Sequence, residues 1–76
     1  MLVLDGWKAL AQHCRQLREA AGLETSELAA AMGVEPQIIR QAESVTQASR
    51  MAARRRVLEH FGYQVTEGFI LTELDA

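Results

Sequence analysis

The 76-residue chain holds one cysteine, one proline, one tryptophan, one tyrosine and two phenylalanines. One cysteine excludes an internal disulfide and suits a reducing compartment. No low-complexity tract is present and about half the residues are hydrophobic, which argues against disorder. The opening Met1-Leu2-Val3-Leu4 carries no cationic leader and too short an apolar run to be expected as a signal peptide or a membrane span. A phosphate-binding glycine loop, paired catalytic carboxylates and a nucleophile–base pair are all missing, so the inventory excludes an enzyme and calls for no cofactor. His13 adjoins Cys14, but neighbours on a helix point about 100° apart. No second Cys/His pair follows, and no metal site is expected.

What is present fits one small domain, 1–76, near the lower size at which a single core holds a fold. A dimer would add buried surface that a monomer lacks. The formal net charge is −2, yet it is unevenly spread. All eight basic residues lie between positions 8 and 56, where only five acids accompany them, leaving that stretch at +3. Phosphates respond to such a local face within a Debye length, not to the total.

Helical spacing dominates residues 5–62. Asp5 is placed to cap a first helix, in which Trp7, Leu10, Cys14, Leu17 and Ala21 repeat at helical intervals and Gly22 is the stop. Cys14 on that face reads as a buried structural thiol. A second helix begins near Thr25 as its cap; Leu28, Ala29 and Met32 are its apolar stripe and Gly33 its end. Val34 is the apolar residue of the turn. Pro36 suits the first position of a third helix, whose inward residues are Ile39 and Ala42. Ser49 is expected to cap a last helix that runs to Phe61, with Gly62 as its stop. Met51, Val57, Leu58 and Phe61 form its apolar face, and Arg54 falls in the middle of that face. Such an arginine must snorkel out, meet a carboxylate such as Glu67 or Glu73, or enter an interface.

Two short helices meeting at one glycine, with Ala29 small at their crossing, have the spacing of a helix-turn-helix. With Leu17-Arg18-Glu19-Ala20-Ala21-Gly22-Leu23 before it and Leu58-Glu59-His60-Phe61-Gly62-Tyr63 after it, this segment resembles the Cro/C1 (Xre) class of phage repressors and antitoxin regulators from about Trp7 to Tyr63. The resemblance implies a mainly α, five-helix lambda-repressor-like domain, with a short C-terminal β-strand in the tail 63–76. It also implies a third helix that enters the DNA major groove. Arg18 and Glu43 match an Arg–Glu pair that, in relatives, ties the first helix to the end of the recognition helix.

The outward residues of that helix are Pro36, Gln37, Arg40, Gln41 and Ser44. Gln37 and Arg40 are three apart on one face, and they match the bidentate edges of adenine and guanine. Thr25 and Ser26 offer hydroxyls to phosphate where relatives carry glutamine. Glu35 stands where relatives carry serine; it repels phosphate but can accept from a cytosine amine. Arg55 and Arg56 point away from the core and can reach phosphate. The bland alternative for these charges is a solvated face.

Beyond Tyr63 the period changes from 3.6 to 2. Phe69, Ile70, Leu71 and Leu74 place apolar residues on both faces of one strand, which predicts a dimer contact with a symmetry mate or with Leu2-Val3-Leu4 of the partner. The reading is a cytoplasmic, nucleoid-associated regulator that binds double-stranded DNA as a homodimer on an inverted repeat. A toxin or phage protein is a further candidate partner, and no membrane is involved. The competing class is a protein–protein interaction module on a degenerate motif, supported by Glu35, Pro36, Ile38 and the low net charge.

Overall fold

The computed structural model describes residues 2–3, 6–66 and 70–73. The chain runs β1 (Leu2–Val3), α1 (Gly6–Ala20), α2 (Thr25–Met32), α3 (Pro36–Glu43), α4 (Met51–His60), β2 (Tyr63–Thr66) and β3 (Ile70–Glu73). The helices enclose one core of Leu10, Cys14, Leu28, Ala29, Ile39, Ala42, Ala53, Val57 and Leu58. Leu10, Leu28, Ile39 and Leu58 are fully buried, and each contributes about 1.5–3 kcal/mol of transfer free energy.

Four helices, not the expected five, form among the described residues. Residues 44–50 carry no helical apolar period. Gly62 adopts φ +89°, ends α4, and hands the chain to alternating strand residues. Among the described residues no stretch is left for a fifth helix.

The helix ends explain the hairpin of α2 and α3. Gly33 takes φ +69°, its N–H reaches the Ala30 carbonyl, and the Val34 N–H reaches the Ala29 carbonyl at 3.0 Å. This paired closure satisfies two of the last carbonyls of α2 and turns the chain within three residues into Pro36 at the head of α3. The start of α2 differs from expectation. Glu24, not Thr25, is the cap residue, and its N–H donates to Glu27 Oε1 at 2.8 Å. A carboxylate at the third helical position thus satisfies the backbone donor of the cap residue, the capping-box arrangement that sets the start of α2 at Glu24. Nor does Ser49 cap α4; that helix starts at Met51 behind Arg50, without a side-chain cap. Ala21 is exposed, since α1 ends at Ala20 and the turn at Gly22 lifts it off the core. Asp5 lies outside the described residues.

The tail forms more than the single strand expected. β3 lies between β1 and β2 and is antiparallel to both. Ile70 pairs with Val3 and Thr66, and Leu71 pairs with Leu2 and Val65. The backbone partners sought across a two-fold axis are thus supplied within the chain. Phe69 and Leu74 lie outside the described residues.

Candidate functional site

The outer face of α3 carries Gln37 and Arg40 exposed, with Gln41 and Ser44 half-buried beside them. Their spacing keeps all four on one side of the helix. Behind them, Ile39 and Ala42 are wholly inaccessible. After Glu43 the loop of residues 44–50 curls back, so that Gln47 and Arg50 close the far wall of an open hollow of about 310 Å³. Gln37, Arg40, Gln41, Ser44, Gln47 and Arg50 line it. Two arginines, three glutamines and a serine offer many donors, and no acid faces them there.

Two arginines brace this face from behind. Arg18, on α1, donates from Nε to Glu43 Oε2 at 2.7 Å and from its second terminal nitrogen to Oε1 at 3.0 Å. The remaining terminal nitrogen reaches the Leu23 carbonyl at 2.9 Å. The pair expected of Arg18 and Glu43 is therefore formed, with side-chain exposures of 14% and 12%. Its fork geometry is the strong form of a charge-assisted hydrogen bond. The bond to Glu43 raises the Arg18 pKa above its ordinary value.

Arg54 does not snorkel out to solvent, and of the carboxylates expected for it Glu67 lies outside the described residues. The exposure of Arg54 is 0%, and among the described residues no carboxylate lies within ion-pair distance. Nε donates to the Ala42 carbonyl at 3.0 Å. One terminal nitrogen donates to the carbonyls of Ser44 at 2.7 Å and Gln47 at 2.6 Å. The other meets the Ala48 carbonyl at 3.3 Å and Met51 Sδ at 3.6 Å. All five guanidinium N–H groups thus find acceptors, and the Trp7 ring covers the cation at 5.1 Å. Burial lowers its pKa, which still leaves an arginine charged.

The remaining anticipated residues are more dispersed. Glu35 is exposed at the cap of α3 without a side-chain bond to the helix, and Pro36 is half-buried in the first turn. Ser26 is exposed and Thr25 half-buried at the head of α2. None of these four lines the hollow. Arg55 and Arg56 are both exposed, but they separate. Arg56 lines a shallow groove between α3 and α4 with Ile38, Gln41 and Arg50. Arg55, about 100° around the helix, does not line that groove. Gln47 and Arg50 were absent from the anticipated site, because a loop without periodicity gives no signal of where it folds back.

The Cys14 thiol is buried, as expected, and pushed up to about 12, by burial first and then by the Glu43 carboxylate, against a lowering contribution from Arg54. Such a thiol is not a nucleophile at neutral pH. Among the described residues no three His, Cys, Asp or Glu side chains gather as a metal site, and no helix is long and apolar enough to cross a membrane. Compared with known proteins, the chain matches no family model, no curated protein and no solved structure.

Proposed function

We propose that the chain is a sequence-specific DNA-binding regulator that reads duplex DNA with the outer face of α3. The observation that carries this reading is the hollow of Gln37, Arg40, Gln41, Ser44, Gln47 and Arg50, free of acids and built on a helix braced at its rear. Arginine and glutamine present the two-pronged donor and acceptor patterns that the major groove edges of guanine and adenine complement. A helix anchored by Ile39, Ala42 and the Arg18–Glu43 fork keeps those side chains in register. Arg56, beside α3, is the better placed of the two α4 arginines for an adjacent phosphate.

The helix, three-residue turn and helix from Thr25 to Glu43 carry the likeness to Cro/C1-type regulators. On that reading the protein represses by occupying a promoter as a homodimer on an inverted repeat, with half-sites about 34 Å apart. Because β3 already has a strand on each side, the proposed dimer contact moves from strand addition at β3 to the surface or outer edges of the hairpin.

Arg40→Ala tests the reading. Its affinity for a duplex selected from a random pool is expected to fall by about 1–3 kcal/mol, with discrimination relaxed at one base pair. Equal losses on selected and shuffled duplexes would assign Arg40 to phosphate instead. Wild-type protein that no duplex retains at low salt would favour the interaction-module reading, with the groove of Ile38, Ala52 and Ala53 as its apolar part.

A further inference from the structure

The loop after α3 has a shape that its own sequence does not impose. Residues 44–50, Ser-Val-Thr-Gln-Ala-Ser-Arg, contain neither glycine nor proline, and every side chain from Val45 to Arg50 is exposed. Nothing apolar anchors it. Its local bonds are few: Ser44 Oγ with Thr46 Oγ1 at 3.1 Å, the Thr46 N–H to Ser44 Oγ at 3.3 Å, the Arg50 N–H to the Gln47 carbonyl at 3.3 Å, and Arg50 Nε to Gln47 Oε1 at 2.9 Å. What holds the loop is Arg54, which gathers the carbonyls of Ser44, Gln47 and Ala48 together with that of Ala42 in the last turn of α3. A cation is favoured at a helix C-terminus, where the last carbonyls lack intrahelical partners. Trp7 and Met51 close the cage, and the Cys14 thiol donates weakly to the backbone carbonyl of Arg54 at 3.8 Å.

The hold continues outward. Arg54 fixes the Gln47 carbonyl, and the Gln47 side chain accepts from Arg50 Nε at 2.9 Å. Arg50 lines the same hollow as Arg40. We propose that Arg54 is a positioning residue for nucleic-acid recognition: through the carbonyls of residues 44–48 it orders the α3–α4 loop, so that Gln47 and Arg50 read the same duplex as α3. The inference rests on the DNA-binding reading above, and it gives that site a second wall.

The test is a double-mutant cycle between Arg54→Lys and Arg50→Ala, read as affinity for the tightest duplex recovered by wild-type protein. Lysine keeps the charge but has three donors and no planar fork, so it cannot span these carbonyls. In the wild-type background Arg50→Ala should weaken binding about tenfold; in the Arg54→Lys background it should weaken binding less than about twofold, because Arg50 is already misplaced. A purely structural Arg54 would not erase the effect of Arg50. The same tenfold loss in both backgrounds overturns the proposal. Arg54→Met, which removes the charge altogether, should give the same non-additivity. If neither variant folds by circular dichroism, Arg54 is a folding residue and the proposal fails. If wild-type protein retains no duplex, the DNA reading has failed, and amide hydrogen exchange then judges the ordering. Residues 46–50 should exchange at least about tenfold faster in Arg54→Lys while α1 and α2 stay protected; unchanged loop exchange overturns it.

Discussion

Two arginines approach the C-terminal end of α3 from different helices, and they are satisfied by different physics. Arg18 meets a carboxylate, and each partner keeps some contact with solvent. Arg54 is sealed from solvent and, among the described residues, meets oriented dipoles, a thioether and an aromatic face. The bond to Glu43 raises the pKa of the first, whereas burial lowers that of the second. An isolated buried charge is costly unless every donor finds an acceptor. Arg54 meets that condition with backbone carbonyls that the end of α3 and the loop would otherwise leave bare. The difference shows how one helix end can be fixed twice: once by a pair that resists sliding, once by a cage that shapes the chain beyond it.

The comparison predicts unequal losses. Arg54→Met leaves four carbonyls without their donor, that of Ala42 buried and the others partly so, and it should lower the unfolding free energy by about 3 kcal/mol. Urea unfolding checks this. A loss below about 1 kcal/mol would mean that water replaces the guanidinium readily and that the cage is not the stronger brace.

Glu43→Gln is the milder break. The amide oxygen can still accept from Arg18, and residual exposure lets water reach both groups, so about 1–2 kcal/mol is expected. The loss should shrink at high salt, since what disappears is a charge–charge contribution, whereas the Arg54→Met loss should change little. Equal salt sensitivity in the two variants would erase the distinction between pair and cage.

These two arginines also mark where the sequence speaks and where it falls silent. The 3.6-residue period places Leu10, Cys14, Leu28, Ala29, Ile39, Ala42, Val57 and Leu58 inside, and all of them are buried. Arg18 and Glu43 are legible as a pair because both partners are side chains. Arg54 looks like an error in the apolar face of α4, because its partners are backbone oxygens, which every residue carries and no sequence advertises. The same blindness hides Gln47 and Arg50, whose place depends on those oxygens. The change of period at Tyr63 announces strands, but the insertion of β3 between β2 and Leu2–Val3 depends on a partner at the other end of the chain. Local pattern cannot name such a partner.

Cys14 sits between the two systems and reports on both. Its thiol is pushed up by burial and by Glu43, and pulled down by Arg54, from 9.0 to about 12. The folded state therefore favours the neutral thiol. Below pH 9 both folded and unfolded chains keep that proton, so the thiol adds no pH dependence. Between about pH 9 and 12 the unfolded chain releases it while the folded one does not, and stability falls by at most about 1.4 kcal/mol per pH unit from this group. Cys14→Ala should remove that component, so the stability difference between wild type and variant should be constant below pH 9 and drift in the variant's favour above it. Ultraviolet thiolate absorbance of the folded protein gives the finer reading. Glu43→Gln should bring the titration to lower pH and Arg54→Met should carry it higher, because one removes a neighbouring negative charge and the other a positive one. A folded-state thiol that titrates near pH 9 in all three proteins would show that Cys14 reaches water and that neither arginine system encloses it.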